Sequence, residues 1–195
     1  MRKSGPEGPC PGTAAVIEKA IMASNVVNGS SSVRAALAKV QQHAGRPVKS
    51  VVVHCPTRFA TTIFIARDLQ AIESDIRPQV RDEETWEDVS RNCTHADDFK
   101  ALTLNTFFTD LGHVLALGQA FCDTIHKMEA DVPSLSQVMD AWDDLMKHTR
   151  TWTLRRGVST ALAKGVMRRL KGRVKIHYSS AWAAAALIDP IHFEV

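Results

Sequence analysis

Cysteine and histidine lie close together in three short segments, and these side chains are common zinc ligands. The segments are residues 54–55, Cys93 with His95, and Cys122 with His126, a pair spaced as on one face of a helix. A structural zinc site normally combines ligands in paired spacings such as Cys-x2-Cys, and none of the segments has that form. Cys122 also falls within an apolar stripe, where a buried thiol is the common role. We therefore expect no metal site and no cofactor.

Three carboxylates could take part in phosphoryl chemistry. Asp140, Asp143 and Asp144 are close neighbours in the sequence, and paired carboxylates can hold Mg²⁺ for such a reaction. The helical spacing places them on the side opposite Trp142, where acidic residues are usually only solvated. The chain has no Gly-x-Ser-x-Gly motif and no glycine-rich phosphate loop. We expect neither catalytic residues nor a small-molecule substrate.

A segment rich in cations near the end of the chain points to an anionic partner. Residues 145–188 contain 10 Lys and Arg and no Asp or Glu. The candidate nucleic-acid-binding residues within it are Arg155, Arg156, Arg168, Arg169, Lys171, Arg173 and Lys175. Two aromatic residues, Trp152 and Tyr178, accompany them. Clusters of this kind bind phosphate backbones, so DNA is a candidate partner.

The same charge pattern allows an intramolecular explanation. Residues 68–144 contain 17 Asp and Glu against 5 Lys and Arg, although the net charge of the whole chain is only +3. A basic helix could therefore lie against the acidic helices before it, or both blocks could be solvated faces of separate helices. The sequence leaves contact with nucleic acid and internal neutralisation open.

Length and composition indicate a soluble globular protein. The chain has 195 residues, of which 45% are hydrophobic, and this is enough to bury a sizeable core. No apolar run reaches the ~18 residues that a membrane span needs. The 4 cysteines have no regular spacing, which favours a reducing compartment. We expect a flexible tail over residues 1–12, followed by a single helical domain over 13–195.

Helical periodicity dominates the chain and predicts an all-α fold. Apolar spacing and capping residues indicate an irregular bundle of about six to seven helices, with a short extended connector near 48–54. One long helix is predicted over 96–128. Its inward stripe would be Leu104, Phe108, Leu111, Leu115, Gly118, Cys122 and Ile125. A basic helix with a narrow apolar strip is predicted over 159–177.

The helix that follows Thr57 is predicted to organise the core. Thr57 can cap it, and its apolar residues recur every three or four positions, as in a core-facing helix. They are Phe59, Ile63, Ala66, Leu69, Ile72 and Ile76. Pro78 is expected to end the helix, because proline lacks the N–H of a helical residue. Arg58 would oppose the helix dipole in the first turn, so its partner is either a carboxylate of this chain or a phosphate.

The residues that open and close this region resemble a known family. Thr57-Arg58-Phe59 begins a long helix, an acidic segment ending at Trp86 follows, and the alanine-rich residues 181–190 come last. In their order and spacing, these motifs resemble the helical insertion of the hAT superfamily of DNA transposases, over roughly residues 13–193. The resemblance implies scaffold roles within that insertion for Thr57, Arg58, Phe59, Trp86, Trp182 and Pro190.

In the hAT family this insertion interrupts a ribonuclease H-like core, whose Asp-Asp-Glu triad holds two metal ions. The resemblance implies that this chain begins after the second Asp and ends before the Glu, without the catalytic carboxylates. It would be a non-catalytic fragment, or a decayed or domesticated copy, located in the nucleus. DNA, itself or other transposase-like chains would be its partners. The alternative is a cytoplasmic helical module that binds other proteins and not DNA.

Overall fold

The computed structural model describes residues 11–55, 59–129 and 135–188. These residues form nine α-helices and no β-strand, which confirms the all-α class and exceeds the expected six to seven helices. The helices are α1 (Pro11–Gly29), α2 (Ser31–His43), α3 (Phe59–Arg81), α4 (Glu83–Asn92), α5 (Ala96–Leu104), α6 (Phe107–Met128), α7 (Gln137–Thr153), α8 (Thr160–His177) and α9 (Ser180–Ile188). In this part of the chain, no helix has the length and apolar character to cross a membrane.

The chain divides into two compact units. Thr13–Leu115 forms one, here called the N-terminal unit, and the described residues from Ala116 onward belong to the other, the C-terminal unit. The boundary falls within α6. The single domain predicted over 13–195 stays a prediction, and most of the tail predicted over 1–12 lies outside the described residues.

The core of the N-terminal unit is built around α3, which contacts α2, α4 and α5. The predicted stripe of α3 is confirmed at each position whose side chain is described. Its buried members are Ile63, Ala66, Leu69, Ile72 and Ile76. Helix α1 adds Ala20, Ala23, Val26 and Val27 to the same core. A helix with one apolar stripe is stabilised mainly by this burial, because its own propensity contributes little.

The expectation that Pro78 ends the central helix was wrong, because α3 continues to Arg81. Proline cannot donate to the carbonyl four residues earlier, but its restricted φ is compatible with a helix. Val80, two residues later, is buried in the core, and the N–H of Asp82 donates to the Pro78 carbonyl at 3.1 Å. Burial of Val80 therefore offsets the cost of an interior proline.

The long helix predicted over 96–128 is two helices, separated at residues 105–106. The Thr106 hydroxyl donates to the Asp110 carboxylate at 3.2 Å, at the start of the second helix. Leu104, just before the break, is 45% exposed, and Ile125, near the end of α6, is 38% exposed. Phe108 and Leu111 are buried as predicted. The predicted stripe is therefore correct in its middle, at Phe108 and Leu111, and wrong at its two ends, Leu104 and Ile125.

The extended connector predicted near 48–54 corresponds to a segment without helix or strand, which follows α2. Residues 46–55 have no regular secondary structure, and side chains from α1 and α3 hydrogen-bond to their backbone. On α1, the Ser24 hydroxyl donates to the Val52 carbonyl at 2.9 Å, and the Asn28 amide donates to the Val51 carbonyl at 3.0 Å. On α3, the Asp68 carboxylate accepts from the Val52 N–H at 3.1 Å. Buried backbone polar groups must be paired, and here side chains supply the partners.

Asp75 is a buried carboxylate on α3, with only 1% of its surface exposed. It accepts hydrogen bonds from the Gln41 amide at 3.1 Å, from Arg46 at 2.5 Å and from the Ser74 hydroxyl at 3.2 Å. The other end of the Gln41 amide accepts from the Lys49 N–H at 2.9 Å. This set of contacts, here called the Asp75 cluster, joins α2, the connector and α3.

The C-terminal unit is held together by α7, which contacts α8 and α9. The buried side chains of this unit include Cys122 of α6, Leu145 and Trp152 of α7, and Leu170 of α8. The Nε2–H of His148 donates to the Ala116 carbonyl at 2.8 Å, which ties α7 to α6. Cys122, an inward position of the predicted long helix, is thus confirmed as buried.

We expect Asp75→Asn to lower the free energy of unfolding by about 1–3 kcal/mol, because it leaves buried donors of the Asp75 cluster without an acceptor. Urea unfolding measures the change. A matched control is Glu87→Gln, which removes one exposed carboxylate that pairs with Arg91 at 3.5 Å; its effect should stay below about 0.5 kcal/mol. Equal stability of the two variants would contradict a structural role for Asp75.

The same carboxylate should make stability depend on acid pH. Burial raises the pKa of Asp75, but the hydrogen bonds from Arg46 and Gln41 and the charge of Arg46 outweigh it, so the pKa lies below its ordinary value of 3.8. A folded-state pKa below the unfolded one stabilises the fold above the unfolded value, and this contribution is lost as the pH falls. Unfolding measured from neutral pH downward should therefore show a larger loss in the unmodified chain than in Asp75→Asn. Parallel losses would contradict it.

Candidate nucleic-acid interface

Helix α8 carries most of the cations that the sequence singles out, and local interactions define its ends. The Ser159 hydroxyl accepts from the Leu162 N–H at 3.2 Å and caps the first turn. At the other end, the Tyr178 N–H donates to the Val174 carbonyl at 2.8 Å. Lys175 and His177 lie in the last turn, where positive charge complements the helix dipole. The helix therefore forms where the sequence predicts it, over 160–177.

The apolar strip of α8 packs into the C-terminal unit, and Gly165, outside that strip, is buried as well. Leu170 is buried, and Leu162, Val166 and Val174 are partly buried, in agreement with the predicted narrow strip. Trp152, an aromatic residue that accompanies the cations in the sequence, is 3% exposed and belongs to the core. Tyr178 is 53% exposed at the end of α8. Of these two aromatic residues, only Tyr178 is accessible for stacking on a base.

Each of the seven candidate cations is exposed. Five lie on α8, at Arg168, Arg169, Lys171, Arg173 and Lys175, and two lie in the turn before it, at Arg155 and Arg156. The turn closes at Gly157, whose φ of +94° is a conformation that glycine adopts readily. The fold thus keeps the whole set in solvent.

Lys164 belongs with these cations, although the sequence prediction omitted it. It is exposed on α8 and lies four residues before Arg168, seven before Lys171 and eleven before Lys175. In a helix these spacings put the four side chains on one face. The sequence prediction grouped cations that follow one another closely in the chain, and Lys164 lies before that group. Helical spacing would have included it.

The cations have no carboxylate partner in the described part of the chain. No Asp or Glu oxygen there lies within 4.0 Å of a side-chain nitrogen of α8, Arg155 or Arg156. Other cations do pair, as Lys147 does with Asp144 at 3.6 Å on the neighbouring α7. Internal neutralisation by direct ion pairs is therefore not seen among the residues described, and these charges are available to a partner.

An open groove of about 740 Å³ in the N-terminal unit has the opposite character. It lies beside α2 and α4, and four carboxylates contribute to its lining. These are Asp82, Glu84, Glu87 and Asp88, accompanied by Lys39 and Arg91. Because an acidic lining repels phosphate, this groove is not a candidate site for nucleic acid.

The residues of the family resemblance lie in several places. Trp86 is buried in the N-terminal unit and stacks on Phe99, with ring centroids 6.0 Å apart. Trp182 is partly buried on α9. Phe59 begins α3, but its side chain falls outside the described residues, as do Thr57, Arg58 and Pro190. The partner predicted for Arg58 therefore stays a prediction.

The segments examined for metal binding do not come together as a site. Within the described ranges, no three His, Cys, Asp or Glu side chains are arranged to hold an ion. Cys122 is a buried thiol, as its apolar stripe predicts, and its burial, followed by the charge of Asp123, raises its pKa. Asp140, Asp143 and Asp144 are exposed.

We expect Lys171→Glu to raise the free energy of unfolding by about 0.3 kcal/mol, because a glutamate four residues before Lys175 forms a favourable helical pair. It also relieves repulsion among the cations of α8. If α8 instead neutralised acidic helices of the same chain, this charge reversal would be destabilising. Chemical unfolding at low salt distinguishes the two, with Lys171→Gln as the control that removes the charge without adding a pair.

No protein-family model, curated protein or solved structure matches this chain. The likeness to hAT transposases is therefore carried by the motif residues of the sequence alone.

Proposed function

We propose that this chain is a non-catalytic helical module of the hAT transposase type, either a fragment or a domesticated copy, that contacts DNA through α8. The observation that carries the proposed DNA contact is the set of exposed cations without carboxylate partners among the described residues. The transposase class is supported by the motifs at residues 57–59, Trp86 and 181–190.

The spacing of the cations suits a phosphate backbone. Neighbours on one face of a helix are separated by three or four residues, which is about 4.5–6 Å along the axis. Lys164, Arg168, Lys171 and Lys175 therefore form a line of charges about 16 Å long. Each cation that neutralises a phosphate releases counterions, so binding is strong at low salt and largely independent of base sequence.

A second candidate function is a protein-interaction module without DNA binding. It is supported by apolar side chains that stand in solvent in the C-terminal unit, Leu154 at 85% and Ile176 at 74% exposed. Single exposed apolar residues are common on protein surfaces. A helix with six exposed cations, no acidic residue and no carboxylate partner among the described residues is not explained by folding alone. The cations therefore favour DNA.

A salt titration of binding to generic duplex DNA tests the proposed function. If α8 and the preceding turn neutralise about four to five phosphates, log affinity should fall against log salt with a slope of roughly −4. The double variant Arg168→Glu/Lys171→Glu should bind more weakly and with a slope shallower by about 2. Fluorescence anisotropy of labelled DNA provides the measurement.

The matched control is Lys19→Glu/Lys39→Glu, which makes the same change in net charge at exposed positions of α1 and α2. It should retain the slope of the unmodified chain. Equal losses of DNA affinity in the two double variants would show that binding depends only on the net charge of the chain. An unmodified chain that fails to bind at low salt would support the protein-interaction module, and cleavage of the DNA in Mg²⁺ would contradict a non-catalytic module.

A further inference from the structure

We propose, resting on the function proposed above, that the C-terminal half of α8 enters the major groove of B-form duplex DNA, with Gly172 facing the base edges. This half comprises residues 168–177. It would meet B-form DNA, and it would do so with the face on which Gly172 lies. The evidence is the distribution of charge, burial and empty space around the axis of α8.

The cations of α8 form two rows. At about 100° per residue, Lys164, Arg168, Lys171 and Lys175 fall on one side of the axis, here called the first row. Arg169 and Arg173, one turn apart, form the second row about 150° away. Both rows are exposed. Two rows on opposite flanks of one helix fit two phosphate backbones better than one.

The face between the two rows lies opposite the side of α8 that packs in the C-terminal unit. Gly172 and Ile176 lie on it, and Ile176 is 74% exposed. The opposite side of the axis carries Leu170, which is 5% exposed, and the partly buried Val174. In this half of α8, the side that packs on the protein and the side between the cation rows are therefore diametrically opposed, so a groove can receive the second side without displacing the first.

Gly172 occupies the middle of this outward face, and the fold does not require a glycine there. A Cβ added at Gly172 would meet no heavy atom within 4 Å, and its φ is not positive. Glycine inside a helix costs about 1 kcal/mol relative to alanine. A position without a side chain lets a helix backbone approach a surface closely, and here the surface would be the floor of the groove.

The same face is covered nearer the start of α8, because Gly165, two turns earlier, is buried. On this face, only residues after Gly165 can enter a groove, which is why the insertion is assigned to 168–177. This length is about three turns, or roughly 15 Å.

The dimensions select one form of nucleic acid. An α-helix with its side chains is about 10–12 Å across, and the major groove of B-form DNA is about 12 Å wide, with a phosphate backbone on each side. The major groove of A-form duplex RNA is too narrow and deep for protein side chains to read. Ile176 would reach the groove floor, where an apolar side chain can contact a thymine methyl group.

Binding of the full chain to matched short duplexes of DNA and RNA tests the inference. Insertion into the major groove predicts at least about tenfold tighter binding to the DNA duplex at equal salt. Gly172→Leu should weaken DNA binding by about tenfold, since the added side chain separates α8 from the groove floor. Its thermal unfolding should be no lower than that of the unmodified chain, because leucine favours the helix more than glycine.

The matched control is Ala161→Leu, which also enlarges a small exposed residue of α8 but lies in the half that is excluded from the contact. It should bind DNA as the unmodified chain does. Equal affinity for DNA and RNA duplexes, or unchanged DNA affinity in Gly172→Leu, would overturn groove insertion while leaving backbone contact by α8 intact. An unmodified chain that binds neither duplex would overturn both the insertion and the proposed function.

Discussion

The N-terminal unit depends on pairing the backbone of a connector that has no strand beside it. Residues 46–55 pass among α1, α2 and α3, and an extended segment there would leave N–H and C=O groups buried without partners. Ser24, Asn28 and Asp68 pair backbone groups in the middle of the connector. Gln41 accepts from the Lys49 N–H, and Asp75 binds the side chain of Arg46. Because each of these side chains belongs to a helix, the hydrogen bonds also fix the helices to one another within this unit.

This arrangement explains why a helical core tolerates a buried charge. Asp75 is desolvated, and an unpaired carboxylate in such a place would be costly. Its oxygens instead accept from Gln41, Arg46 and Ser74, and Arg46 keeps 45% of its side chain in solvent. The guanidinium is therefore never fully removed from water, which reduces the desolvation cost of the pair.

In the C-terminal unit the charged residues of α8 are exposed, unlike the buried and paired Asp75. Along α8 the cations are exposed and have no carboxylate partner in the described part of the chain, so neighbouring cations repel each other. Gly172 adds the usual cost of glycine in a helix, and its surroundings hold no atom that would exclude a side chain. Features that cost stability without a packing reason are expected at functional sites. The groove beside α2 and α4, by contrast, is lined by carboxylates, which repel phosphate.

Features that depend on near neighbours along the chain could be predicted from the amino-acid sequence. The α-helical class, the buried stripe of α3 and the basic helix near 159–177 follow from spacings of a few residues, and all three are present in the structure. Packing between segments that are distant in the chain set the other features. Pro78 stays within α3, Leu104 is exposed and Trp152 is buried, because partners far away in the chain set these outcomes. Likewise, the sequence showed that α8 is basic, but whether its cations meet carboxylates or water depends on how distant helices pack, which no local spacing encodes.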